Sequence, residues 1–350
     1  MTSIFNPFEK ISNLMKEVND TLQDPYFDSL AIEKKIKLNK KINTLNFNSV
    51  ETVYLGFHLN KAVSPSSSIN YNHLPEDFLL NSLPLIPENS IFILLNNDVA
   101  KFLPQYLNFY NNNPNALIII WDWDSQHWLN MSSILAVHSD IYIPASSDNL
   151  AILAQFSPNI IGPIFACAHQ WSKKFILNNL DMLLLERTSL PLGMHVFYEN
   201  YPRRNRVIAT LNSSISSVGF ANNDFKNKSD AENFQEWAAH KSHWIVPVLS
   251  GVPIRVYNGI ITGGIPIVPS FYKNIPENAH INKSVIYYDI TDVVNSTNVL
   301  KLAHERFNDE GENGILTRIC DALNNHHVDF RCLQIINEVN LRVQNIKFGN

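Results

Sequence analysis

The sequence predicts an α/β protein built from two Rossmann-like domains behind an N-terminal helical extension. Three observations lead there. Short apolar runs such as Ile91 to Leu95, Ala116 to Trp121 and Ile265 to Val268 recur along the chain. More polar stretches with helical spacing separate them, an alternation that implies parallel sheets covered on both faces. The length of 350 residues exceeds what one small core fills.

The elements follow in order. Asn6-Pro7-Phe8-Glu9 reads as a helix start, with Asn as cap, Pro in the first turn and Glu at the third position. Phe8, Ile11, Met15, Val18 and Leu22 continue it at helical spacing. A second helix is expected over Leu30 to Leu45, carrying Lys34, Lys35, Lys37, Lys40 and Lys41. That run suits peripheral contact with anionic lipid, or more simply a solvated helix face. Residues 1–46 thus form the extension. Thr52 to Phe57, Ile91 to Leu95, Ala116 to Trp121 and Ile141 to Ile143 are predicted strands of a first domain, 47–190. Pro191, Gly193 and Pro202 interrupt the pattern, and a second domain, 191–350, follows. Its predicted strands are Val207 to Leu211, Trp244 to Val248, Ile265 to Val268 and Val285 to Tyr288. Its predicted helices are Ala231 to Lys241, Ile254 to Thr262, Val293 to Phe307, Ile315 to Leu323 and Leu333 to Ile346. The last helix has the option of returning to the first domain.

Composition narrows the function. A net charge of −5 argues against a general nucleic-acid binder. The three cysteines form no CxxC pair, so neither a zinc site nor a disulfide framework is indicated, and a reducing compartment is the simplest reading. No leader pattern is visible and no apolar run approaches the ~20 residues of a membrane span. A cytoplasmic protein is expected, with the lysine helix as a means of reaching the inner face of the membrane.

Four loops carry candidate chemistry. In open α/β sheets ligands bind beyond the carboxyl ends of the strands. After Ala116 to Trp121 comes Trp121-Asp122-Trp123-Asp124-Ser125-Gln126-His127-Trp128. Aromatic walls suit sugar faces and lower the local solvation of a carboxylate. Asp124 or His127 is a candidate general base, and Asp122 or Asp124 a candidate nucleophile or electrostatic stabiliser. The plainer reading makes the two aspartates helix caps. One His and two Asp at this spacing form no recognised zinc set, so no metal is expected. Asn212-Ser213-Ser214 follows the predicted strand Val207 to Leu211 and offers small polar groups to phosphate or sugar hydroxyls, or is a simple turn. His240-Lys241-Ser242-His243 precedes Trp244 to Val248; Lys241 and His243 are candidate phosphate contacts, or a solvated helix end. His195 and Glu199 stand near the domain crossing, with a buried hinge the simpler role for His195.

The fourth loop opens Ser250 to Pro269, SGVPIRVYNGIITGGIPIVP. A helix N-terminus beside Arg255 makes an anion site, and Gly263 and Gly264 end the helix before a buried strand. This segment resembles the donor-side motif of GT-B glycosyltransferases, especially the exostosin-like and spore-coat-like branches, in which an Arg precedes a helix that ends in a Gly-x-Ile-Pro-Val/Ile strand. The match is good over Ser242 to Pro269 and loose over residues 200 to 310. There is a fainter likeness to bacterial Kdo transferases. The resemblance implies a metal-independent enzyme without cofactor. It would move a sugar from a CMP-, UDP- or GDP-linked donor to a glycan or lipid-linked glycan, as in surface-polysaccharide synthesis. It implies donor contacts from Asn212, Ser213, Lys241, His243, Ser250, Gly251, Arg255 and Asn258. Many family members have Glu where Asn258 stands, to hold the donor ribose; Asn keeps the hydrogen bonding and loses the charge. The loops at Trp121 and Ser250 each follow a strand in opposed domains and are expected to face one another. The competing readings are a nucleotide-sugar epimerase on the same scaffold and a non-catalytic sugar-binding protein.

Overall fold

The structure, a computed structural model, describes residues 16, 25–44, 53–59, 63–64, 69–81, 89–125, 128–148, 150–221, 228–248 and 251–348. The helix expected from Asn6, and the candidates His127 and Ser250, lie outside the described residues. The chain divides into two units, Met1–Asn60 with Pro65–Ile164 and Asn337–Asn350, and Lys61–Ser64 with Phe165–Ile336. The main division therefore falls after Ile164, earlier than 190. Residues 165–190 bring Trp171, Ile176 and Leu183 into the core of the second unit. Pro191 and Gly193 introduce a strand instead of ending a domain. The last helix, Val328–Phe348, belongs to the second unit up to Ile336 and to the first from Asn337.

In the first unit five parallel strands, β1 (Val53–Leu55), β2 (Tyr71–His73), β3 (Ile91–Leu95), β4 (Leu117–Asp122) and β5 (Ile141–Pro144), lie in the order β2-β1-β3-β4-β5. β3 and β4 are buried along their whole length, as continuous apolar runs in a parallel sheet require. The helix Pro25–Thr44 belongs to this unit, and two of its five lysines, Lys34 and Lys41, are buried instead of solvated. Lys41 is buried in a 2.7 Å ion pair with Asp140 and also donates to the Ala116 carbonyl. Lys34 is buried against the Ala136 carbonyl and Ser157 Oγ, and burial pushes its pKa down to about 7. Lys37 sits over the Tyr110 ring. These three lysines are engaged within the unit, while Lys40 is exposed. No helix among the described residues is long and apolar enough to cross a membrane.

The second unit holds β6 (Gly193–His195), β7 (Val218–Phe220), β8 (Ser242–Trp244), β9 (Ile265–Pro269) and β10 (Ile286–Tyr288), again all parallel. Leu192, just before β6, bridges to His243 of β8: its amide donates to the Ser242 carbonyl and its carbonyl accepts from the Trp244 amide, both at 2.9 Å. The order is thus β7-β6-β8-β9-β10. Counted within its own unit, each sheet reads 2-1-3-4-5, the doubly wound order whose direction reverses between the first and third strands.

One predicted strand is a helix. Val207 to Leu211 lies inside the helix Pro202–Asn212, which starts with Pro in its first turn and buries Arg204, Asn205, Ile208 and Leu211 on one face. The break at Gly263-Gly264 is as the sequence suggests. Gly263 takes φ +74°, its amide donates to the Ile260 carbonyl, and the Gly264 amide donates to the Gly259 carbonyl, a Schellman ending. Gly264 is also tied by space, since a Cβ there would lie 2.2 Å from the ring of buried His243.

Candidate functional site

In the second unit a cleft of about 400 Å³ opens beside the carboxyl ends of β6 and β7, marked by Val196 and Ala221. Asn233, Glu236 and Trp237 line it from the helix Asp230–Ala238, and Arg255 and Asn258 from the helix Ile254–Ile261. The three-residue spacing of Arg255 and Asn258 puts both on one helical face. The Arg255 guanidinium lies 5.1 Å from the Trp237 ring centroid. It is half-buried, yet its Nε is sealed from solvent and has no hydrogen-bond partner among the described residues. No carboxylate among the described residues pairs with it: Glu236 is taken by Lys228 at 2.7 Å. Burial, with Arg204 nearby, pushes the Arg255 pKa down to about 10. Asn258 donates to Gln170 Oε1 at 2.8 Å, while its Oδ1 is buried and unpartnered. A desolvated cation and an open acceptor in one cleft suit an anionic ligand that also carries hydroxyl or amino groups. Phe197 and Tyr198 are exposed just after β6, with Phe197 edge-on to Phe220 at 5.3 Å.

Other expected donor contacts lie elsewhere. Asn212 and Ser213 end a helix and stand near the start of β7, because Asn212 Nδ2 donates to the Val218 carbonyl. Ser213 Oγ donates to the Thr210 carbonyl. Lys241 precedes β8 and donates to Asn308 Oδ1 at 3.0 Å, again at the amino end of the strands. His243 points into the core: it is fully buried, stacked on Trp237 at 4.9 Å, and its Nε2 meets the Trp237 carbonyl at 3.0 Å. Burial holds its pKa well below the ordinary value. His195 is likewise buried, against the Trp244 carbonyl, and Glu199 is exposed. The Gly251 carbonyl accepts from the Tyr272 hydroxyl at 2.8 Å. The sequence misses Gln170, Glu236 and Trp237, none of which stands in a motif.

In the first unit Asp122 is fully buried. It accepts from Ser132 Oγ at 2.5 Å, from the Tyr142 hydroxyl and from the Asp124 amide at 2.9 Å, so it ties β4 to the next helix and to β5. Burial raises its pKa and the three donors oppose the rise. Asp122 is thus enclosed, which corrects its placing among groups that meet a substrate, and it is not the helix cap of the plainer reading either, since Trp128 holds the N-cap position of the helix Leu129–Val137. Asp124 is half-exposed and accepts from Asn97 Nδ2 at 3.0 Å. Trp123 is buried edge-on to Trp121, while Trp128 is exposed.

At the reversal point of this sheet, past β1 and β3, stands a pair with no motif to announce it. His58 Nδ1 lies 2.7 Å from Asp98 Oδ1. Asp98 is buried and also accepts the amides of His58 and Leu95. Gly56 makes room, since a Cβ there would come within 1.8 Å of Asp98 Oδ2. The hydrogen bond to Asp98 raises the His58 pKa; burial and Lys101 oppose the rise, and Glu76 adds to it. Protonated His58 is therefore favoured by folding. Its stabilisation is complete below the unfolded value of about 6.5 and fades as pH rises through the higher folded value. Asp98→Asn should flatten that part of the stability–pH curve, read by chemical denaturation across a pH series; an unchanged slope would assign it to other groups.

Among the described residues no group of three or more His, Cys, Asp or Glu is placed to hold a metal ion. Comparison with protein-family models and with curated proteins finds no match for this chain.

Proposed function

We propose that the protein is a glycosyltransferase of GT-B type, with two Rossmann-like domains, that takes its sugar from a nucleotide-sugar donor held by the second unit. The observation that carries this reading is the Arg255–Asn258 face: a guanidinium whose sealed Nε has no partner among the described residues, and an open amide oxygen, in a cleft at the carboxyl ends of parallel strands. Arg255 meets the donor phosphate, and Asn258 with Gln170 meets hydroxyl or amino groups of the nucleoside. The ribose carboxylate that the family places at 258 has a candidate replacement in Glu236, which lines the same cleft from another helix. The acceptor, a glycan or lipid-linked glycan, belongs to the first unit. Three free cysteines agree with a cytoplasmic setting.

A thermal-shift screen of CMP, UDP, GDP and their sugar conjugates tests the reading. A ligand at 100 times its Kd should stabilise by about 2.7 kcal/mol. At least one nucleotide should raise the Tm of the native protein and leave that of Arg255→Ala much less changed. Equal shifts in both proteins would remove Arg255 from the site.

A further inference from the structure

We infer that a cavity at the amino ends of β9 and β10 binds a small multivalent anion, a phosphate ester or a polycarboxylate, and that Glu310 of the chain itself holds the anion's place until it arrives. The cavity, of about 760 Å³, lies within the second unit. One wall is the segment 279–284, which leads into β10. The other is the helix Thr297–Asn325, which contributes Arg306, Glu310, Arg318 and Asp321. Arg318 Nε donates at 3.0 Å to the carbonyl of Gly263, just before β9, so the cavity stands at the pole of the sheet opposite the Arg255 cleft.

Four features support this, none of which rests on the transferase reading. Around Glu310 the lining carries three cations, Lys283, Arg306 and Arg318, and Lys283 makes no ion pair among the described residues. Asp321, the other carboxylate of the lining, stands further along the helix and accepts from Asn325 Nδ2 at 2.7 Å. The arginines are anchored without Glu310. Arg306 donates from Nη1 to the Val285 carbonyl at 3.1 Å and from Nη2 to the Lys283 carbonyl at 2.5 Å, as Arg318 does to Gly263. Guanidiniums held by backbone carbonyls stay in place when a carboxylate leaves them. Glu310 also satisfies them incompletely. Its Oε1 accepts from Arg306 Nε at 2.7 Å and its Oε2 from Arg318 Nη1, one bond to each. Arg318 is only 4% exposed, and its buried Nη2 has no partner among the described residues. A ligand with several oxygens can take Nη1 and Nη2 together and still reach Arg306, the forked contact that a guanidinium favours. Finally, Glu310 is the member free to move. It is 33% exposed, and the helix breaks immediately after it at Gly311.

The plainer role, a clasp that joins helix to sheet, predicts the opposite response to losing Glu310, so the two can be told apart. Calorimetric titration with inorganic phosphate, and separately with citrate, at constant ionic strength decides it. Glu310→Gln should bind at least one of these anions about tenfold tighter than the native protein, because one charge-assisted contact is no longer contested. Adding Arg306→Ala should abolish the gain. Adding Arg255→Ala should leave it intact, which separates the cavity from the nucleotide cleft. A larger gain for phosphate assigns a phosphate ester, and a larger gain for citrate a polycarboxylate. Glu310→Asp keeps the charge on an arm too short to span both arginines. It should show a smaller gain in the same direction, and it serves as the test if the Gln variant does not fold. An affinity in these variants equal to the native one or weaker, or a gain that survives Arg306→Ala, overturns the proposal and leaves Glu310 as the clasp.

Discussion

Arg255→Ala should weaken nucleotide binding by tenfold or more while leaving the melting temperature unchanged or slightly raised. A charge-assisted hydrogen bond contributes about 1.5–3 kcal/mol, which covers that loss. The expectation for stability follows from the neighbourhood. The guanidinium makes no ion pair among the described residues, and burial pushes its pKa down to about 10, the mark of a charge held at some cost to the fold. What favours it is the Trp237 ring at 5.1 Å, worth about 0.5–1 kcal/mol at an exposed site and about 2 when desolvated. The two effects oppose, so removal should be close to neutral for folding. Calorimetric titration with the best nucleotide, beside a melting curve of each protein, reads both quantities. A variant that binds normally, or one that loses binding only because it unfolds, would make Arg255 a packing residue.

Asp140→Ala should have the largest effect on stability, about 3–5 kcal/mol, because it strands a buried charge. Lys41 would keep the Ala116 carbonyl and the Tyr110 ring, and would lose the carboxylate 2.7 Å away. The Ile118 amide would lose its acceptor in the same step. Burial already lowers the Lys41 pKa and Asp140 raises it, so the variant's lysine should give up its proton at lower pH. The deficit should then shrink as pH rises. Lys41→Met with Asp140→Ala should recover most of the loss, since an apolar pair of similar volume carries no desolvation penalty. Urea denaturation of the three proteins is the check. A single variant within about 1 kcal/mol of native, or a double variant no better than the single, would show that the pair is not what holds this helix to the sheet.

Much of the fold is legible in the chain, for a physical reason. β3, β4 and β9 are buried on both faces, so their sequences are unbroken apolar runs that stand out from their flanks. β2, β6 and β7 are three residues each and include Asn72, Gly193 and Gly219, so no run marks them. Val207 to Leu211 misleads in the other direction. Its apolar residues suit a strand, and only Pro202 at the helix start and the spacing of Arg204, Ile208 and Leu211 argue against one. The expected helix Val293 to Phe307 crosses a break, since one helix ends at Val294 and the next starts at Thr297, whereas the expected gap between Phe307 and Ile315 holds Gly311, φ +55°.

The sites divide in the same way. Arg255 and Asn258 are three residues apart on one helix, and local spacing is enough to pair them. Lys241 and His243 flank the start of a strand, and their apparent motif conceals that one lies at the amino end of the sheet and the other inside the core. His58 and Asp98 are forty residues apart, as Lys41 and Asp140 are ninety-nine. Chemistry that depends on strand order leaves no trace in a linear motif.

The most direct test of the central claim is sugar transfer itself. The native protein is incubated with CMP-, UDP- and GDP-linked sugars and a panel of glycan acceptors, and both nucleotide release and acceptor mass are followed by mass spectrometry. The account predicts that for at least one donor, free nucleotide appears in step with an acceptor heavier by one sugar, and that Arg255→Ala suppresses both signals. Nucleotide release without any acceptor gain, or the absence of nucleotide-sugar binding across the panel, would contradict it.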